Sequence, residues 1–250
     1  DAAAAGAEPV GLLVTLLIPP TGTMEEISRI ADDLSTAAQL ANVDILGGHT
    51  EVTDSVARAI TSTTIVARQP RNHTLRGMRP GDDIVMTKWA ALEGTTILAE
   101  DFADRLTDLP VSVLDAAHAL TGQLSIVPES RVAVLSGATA MHDVTEGGVL
   151  GAAWELAYAN GCKVSLFSDC IPVKEETNAI CSTLGLDPLR LIGSGSLLIA
   201  CEDGAAMMRA LKSSGIKASV IGKAHDSQNN TLDGLPLDEP HADEMYRLYE

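Results

Sequence analysis

The stretch of this chain best equipped for chemistry is Ile45-Leu46-Gly47-Gly48-His49-Thr50-Glu51. An apolar run ends in a glycine pair, and a ring nitrogen, a hydroxyl and a carboxylate follow directly. Glycine lets a backbone approach a ligand closely because no Cβ intervenes. Successive amides in a glycine-rich turn form a nest for anions. Gly47, Gly48 and Thr50 are therefore candidates for phosphate contact, Glu51 for a cation, and His49 for either a ligand or a general base. The alternative is a tight structural turn with a solvated polar tip. It is not a Walker loop, since no Gly-Lys-Ser/Thr follows.

A second segment has the same character: Met141-His142-Asp143-Val144-Thr145-Glu146-Gly147-Gly148. Asp143 and Glu146 flank a strand-to-helix turn, where carboxylates are natural ligands for magnesium. Gly147 and Gly148 open the helix and can offer free N–H groups to phosphate. The alternative is local capping, with Thr145 or Asp143 as the cap and Glu146 favouring the positive end. Two such segments far apart in sequence suggest a ligand held between them. Asp1 is a further possible metal ligand or a solvated terminus. Gly193-Ser194-Gly195-Ser196 is an anion contact or a loop before a strand.

Composition excludes several classes. The formal net charge is -17, which repels nucleic-acid phosphates and anionic lipid. Aromatic residues are only 3%, too few for base stacking along a strand of nucleic acid. The apolar segment 9–20 is shorter than the ~20 residues a membrane span needs. Cys162, Cys170, Cys181 and Cys201 form no C-x-x-C pair, so reduced thiols and a cytoplasmic home are expected.

These residues need elements to position them. Strands are predicted over 10–18, 43–46, 56–67, 83–87, 138–144, 163–167, 196–201 and 216–222. Helices are predicted from Thr23 to about Ala41 and over 95–106, 111–120, 149–159, 174–184 and 204–213, with a short one over 1–6. Thr23 and Glu26 form a capping box, and Ile27, Ile30, Ala31, Leu34 and Ala38 follow at helical spacing. Pro70, Gly77, Pro80 and Gly81 mark a boundary within 69–83. The expected architecture is α/β (α+β) with domains 1–70 and 76–225 and a polar tail over 226–250.

Taken together, segments 1–9, 45–51, 76–88 with Glu93-Gly94, 141–148 and 184–199 resemble the aminoimidazole ribonucleotide synthetase superfamily. Leu186-Asp187-Pro188-Leu189 and Gly195-Ser196-Leu197-Leu198 resemble its hydrogenase-maturation branch most. The resemblance implies a two-domain PurM-like fold. Its N-terminal domain closes a β-barrel with a second copy in a homodimer, and its C-terminal domain is an α/β sandwich. It also implies ATP and magnesium (Mg2+) in a cleft between domains, used to phosphorylate or activate an oxygen of a small-molecule acceptor. Asp1 matches the family's metal-binding Asp, and Asp143 its acid on the second domain. Gly47, Gly48 and Thr50 match the phosphate-side turn. His49 stands where the kinase branch carries an acid, and Glu146 where that branch has Asp and the maturation branch Arg. The chain starts partway through the family's first domain, and no cysteine stands near Glu250, which argues against carbamoyl chemistry on a tail cysteine. Two other readings compete with an ATP-dependent enzyme. One is a non-catalytic nucleotide-binding or hydrogenase-maturation-like scaffold; the other is a purely structural dimer.

Overall fold

In the computed structural model, residues 1–70 and 75–249 are described. The boundary expected within 69–83 includes residues 71–74, which lie outside the described residues. The described chain falls into two compact units, one over 7–70 with Ala2 and one over 75–249 with Asp1 and Ala3–Gly6.

The smaller unit starts from the capping box. Glu26 N–H donates to Thr23 Oγ1 at 3.2 Å, and Thr23 N–H donates to Glu26 Oε2 at 2.8 Å. These bonds satisfy two of the amides that a helix start leaves unpaired. Helix α1 (Met24–Ala41) ends at Asn42, which is left-handed and returns its N–H to Ala38 and Gln39. It carries the chain from β1 (Glu8–Ile18) to β2 (Asp44–Val52), which lie parallel, while β3 (Ile60–Arg68) pairs with β1 antiparallel. The strand order is β2-β1-β3. Side chains alternate across a strand. Val14 and Leu16 therefore meet Ala31 and Leu34 of α1 on one face, and Leu13 and Leu17 point to the other. Leu13, Leu46 and Ile60 are exposed.

The larger unit holds a seven-stranded sheet ordered β10-β9-β6-β8-β4-β7-β5. Its strands are β4 (Asp83–Thr87), β5 (Ala138–Asp143), β6 (Lys163–Leu166), β7 (Leu197–Cys201), β8 (Ala218–His225), β9 (Thr231–Leu232) and β10 (Leu235–Pro236). Every neighbour pair is antiparallel except β6 with β9. β7 is buried along its whole length, so its continuous apolar run serves two cores. Leu198 and Ala200 join α5 (Gly148–Ala159) on one side. Leu197, Ile199 and Cys201 join α4 (Val127–Leu135) and α7 (Gly204–Ser213) on the other. This is the expected α/β sandwich. Each fully buried Leu or Ile contributes about 1.5–3 kcal/mol relative to exposure. A third cluster joins α2 (Leu92–Asp101), α3 (Val111–His118) and α6 (Glu175–Leu184).

Four local expectations change. Residues 1–6 form a turn rather than a helix, with Ala5 N–H on the Asp1 carbonyl at 2.9 Å and Gly6 N–H on that of Ala3 at 2.8 Å. β2 does not stop at Leu46 but continues through Val52. α4 was not foreseen, because Glu129 and Ser130 are buried and break its apolar periodicity. The polar tail is built into the larger unit: it supplies β9 and β10, and it buries Asn230, Leu237, Asp243 and Met245.

All four cysteines are free, and burial pushes the thiols of Cys181 and Cys201 up to about 12. No helix among the described residues is long and apolar enough to cross a membrane.

Candidate functional site

β5 delivers Asp143 to the end of the larger sheet, where it pairs with Leu197. Val144 then plunges into the core, and its N–H donates to the Ser196 carbonyl at 3.0 Å. Thr145 and Glu146 make the turn, Gly147 takes φ +76°, and α5 begins at Gly148. Asp143 is 21% exposed in its side chain, and Glu146 is open to solvent. His142 is committed elsewhere, with Nδ1 2.7 Å from the Asp143 carbonyl and Nε2 3.4 Å from Glu155 Oε2.

Asp1 comes to this carboxylate. Its backbone nitrogen lies 3.4 Å from Asp143 Oδ2. The turn behind it is anchored by Ala3 and Ala4, buried in the α4–α7 core, and by Ser130 Oγ, which donates to the Ala3 carbonyl. Among the described residues no three His, Cys, Asp or Glu side chains form a ready-made metal cage. Magnesium on a nucleotide needs only one or two carboxylates beside the phosphates. The Asp143 carboxylate offers hard oxygens of that kind, and Glu146 follows it in the same turn.

The glycines at the start of α5 do something other than hold phosphate. Gly147 N–H donates to Asp243 Oδ2 at 2.8 Å, and Gly148 N–H donates to the Thr145 carbonyl at 3.1 Å. A Cβ on Gly148 would lie 2.5 Å from the Leu189 carbonyl oxygen. Both amides are thus occupied; Gly148 serves close packing against the Leu189–Leu191 segment, and Gly147 supplies the positive φ of the turn. Asp243 supplies the negative group that a helix N-terminus attracts. Burial pushes its carboxyl up, opposed by the amides of Met245, Gly147 and Ile192. Sequence reasoning missed Asp243 because it lies 96 positions from Gly147.

In the smaller unit, Gly47-Gly48-His49-Thr50-Glu51 is a strand, not a nest-forming turn. Gly48 has φ +155°, and a Cβ there would sit 1.8 Å from the Val14 carbonyl oxygen. Its missing side chain admits β1 rather than a ligand. Strand alternation also divides the polar trio. Thr15 and Leu17 partner His49 and Glu51, whose side chains share one face with Nε2 3.4 Å from Oε2. Thr50 partners Leu16 and faces the α1 side. His49 is 66% exposed, so nothing there shields a general base from water.

The fold and these residues define a class. The chain belongs to the AIR synthase related protein family: the N-terminal domain profile matches residues 1–68 and the C-terminal domain profile residues 79–234. Within it the chain lies on the hydrogenase-maturation branch. It is 31% identical over 233 residues to carbamoyl dehydratase HypE of Azotobacter vinelandii, covering 89% of this chain and 65% of that protein. The crystal structure of E. coli HypE, a hydrogenase maturation protein, superposes with a TM-score of 0.81 at 27% identity, covering 96% of this chain and 76% of that one. A HypE structure in complex with ATP shares the fold, with a TM-score of 0.71 at 23% identity over 90% of this chain and 67% of that one. The chain spans about two thirds of the length of the curated relatives it matches.

Proposed function

We propose that this protein is an ATP- and magnesium-dependent enzyme that phosphorylates or activates an oxygen of a small-molecule acceptor. The observation that carries this reading is the Asp143 carboxylate held in the turn at the end of the larger sheet, with the Asp1 backbone nitrogen 3.4 Å from its Oδ2. Its support is a fold shared with an ATP-bound HypE. Phosphoryl transfer needs little covalent help from protein; it needs charge neutralised and groups held in line. Magnesium, when bound, supplies the neutralising charge. Asp143 and Asp1 would hold it through hard oxygens, and Glu146 would add a carboxylate by a water or directly. Asp143 is well placed because a buried Val144 and an anchored turn fix it from both sides, which keeps the donor pre-organised. Thr145, beside it in the turn, is the hydroxyl available to the nucleotide; the Gly147 and Gly148 amides are already paired. In the smaller unit, Thr50 and Glu51 are the side chains to probe for phosphate and metal.

The same reading includes a homodimer. The face of the small sheet opposite α1 leaves Leu13 and Ile60 exposed, and Leu46 beside them is 55% exposed. Apolar surface gathered on one sheet face marks an interaction site, and a second copy supplies a matching face.

Calorimetry with ATP and magnesium tests the core of the proposal. Asp143→Ala is expected to weaken binding about tenfold or more, the equivalent of the ~1.5–3 kcal/mol of a contact to a charged group. Tight magnesium-dependent binding that ignores Asp143→Ala, or no binding by the wild type, removes the reading. Binding without turnover on any oxygen acceptor would leave a nucleotide-binding scaffold instead.

A further inference from the structure

A hollow opens at the same end of the seven-stranded sheet as Asp143. Strands β5, β7, β4 and β8 are consecutive neighbours. Asp143 pairs with Leu197 at the start of β7, and Thr87 at the end of β4 pairs with Ala218 at the start of β8. Neighbouring strands stand about 4.8 Å apart, so the end of β4 is about 10 Å from Asp143 along the sheet and the start of β8 about 15 Å. There the chain encloses a hollow of about 490 Å³. Small-molecule sites run from roughly 300 to 1,000 Å³.

Its lining combines an apolar body with unshared positive charge. Trp89, Pro172, Met208 and Ile216 form the walls, Lys212 and Lys217 stand among them, and no carboxylate lines it. The chain carries 34 acidic against 17 basic side chains, which makes a lysine-lined hollow without an acid stand out. Lys88, at the floor, is spent: Nζ is 2.9 Å from Glu129 Oε1 and 2.8 Å from the carbonyls of Gln123 and Ser125. Lys174 Nζ lies 4.6 Å from the Trp89 ring centroid but is neutralised by Glu176 at 3.0 Å. Lys217 Nζ lies 4.9 Å from the same centroid, and neither it nor Lys212 has an ion-pair partner among the described residues. Ammonium groups beside an aromatic face are held there by the ring quadrupole and stay free to meet an anion.

We propose that this hollow binds the acceptor, a small organic anion with an apolar body. Its carboxylate or phosphate meets Lys212 and Lys217, and its body lies against Trp89, Met208 and Ile216. The word acceptor rests on the ATP-dependent reading above; the binding of the anion does not.

The test uses the full chain with Trp154→Phe, which leaves Trp89 as the sole tryptophan of the two in the chain. Phenyl phosphate, benzoate, inorganic phosphate and benzyl alcohol are titrated while Trp89 fluorescence is followed. A saturable change is expected with phenyl phosphate or benzoate, and the tighter of the two names the head group. Benzyl alcohol and inorganic phosphate should each bind at least about tenfold more weakly, since each lacks one half of the recognition. Lys212→Ala/Lys217→Ala should weaken the aromatic anion about tenfold or more while circular dichroism stays native. Thermal shift of the tryptophan-intact protein with phenyl phosphate, with and without the double substitution, provides the same comparison free of Trp154→Phe. A flat response to both aromatic anions, or equal affinity in the double variant, overturns the proposal. Competitive displacement of phenyl phosphate by ATP also overturns it, because the hollow would then be the nucleotide's own. Phenyl phosphate bound by a protein that ignores ATP sinks the ATP reading and keeps the anion site.

Discussion

Lys88 Nζ lies 2.9 Å from Glu129 Oε1, and both residues are buried. Burial drives the Lys88 ammonium below its ordinary pKa, and Glu129 pulls it back up. Two charges taken out of water tolerate each other; one alone does not. Lys88→Met is therefore expected to cost about 3–5 kcal/mol in urea unfolding, because Glu129 keeps a buried charge with no counterion. Lys88→Met combined with Glu129→Leu should recover most of that loss. A single substitution that leaves the unfolding midpoint unchanged would show that the pair is not felt.

Asp83 gives a pH signature. Burial works against its charge, but Lys223 Nζ at 2.9 Å and the Gly204 amide at 3.0 Å more than offset that, and its carboxyl is held below the ordinary 3.8. A depressed folded-state pKa stabilises the fold above the unfolded-state value and ceases to do so as pH falls through the folded one. Asp83→Asn should melt below the wild type at pH 7, and the gap should begin to narrow as pH falls below about 4. A gap that does not narrow at all on acidification would assign the effect to packing rather than charge.

The glycine pair of β2 separates two roles. Gly48→Ala puts a methyl 1.8 Å from the Val14 carbonyl oxygen, whereas a Cβ on Gly47 meets nothing within 4 Å. Gly48→Ala should cost about 3 kcal/mol or more through overpacking. Gly47→Ala, strained only by its φ of +152°, should cost about 1 kcal/mol. Equal losses in thermal melting would show that the approach of β1 is not what excludes a side chain.

Much of this was legible in sequence, and the failures have physical causes. Thr23 with Glu26, and the strand–Gly147-Gly148–helix turn, are local signals, so they read correctly. The β7 strand was readable because Leu197 to Cys201 is one apolar run. Gly47-Gly48 misled because a glycine before polar residues reads alike whether it bends toward a ligand or lets in a neighbouring strand; only the position of Val14 decides. The amide of Gly147 misled because Asp243 arrives from a distant segment, and that of Gly148 because it turns back to the Thr145 carbonyl. α4 hid behind buried Glu129, whose partner Lys88 follows the end of β4. Asp143 was named from its turn and Asp1 as a possible ligand, and the resemblance joined the two; the approach of the Asp1 backbone to Asp143 emerges only once the 1–6 turn packs on the α4–α7 core.

The proposed dimer has a direct check. Leu13→Glu places a charge on the exposed sheet face opposite α1, where Leu13 is 43% exposed. Sedimentation should show a wild-type dimer and a monomeric variant with an unchanged circular dichroism spectrum. A wild type that sediments as a monomer at all concentrations ends the dimer proposal.

The bond from Gly147 to Asp243 sets an order of assembly. The loop that presents Asp143 is latched by a residue synthesised 96 positions later. A chain emerging from the ribosome cannot lock the turn between β5 and α5 until the segment around Met245 has followed. Trimming a few residues from that distant segment should therefore loosen the turn that presents Asp143.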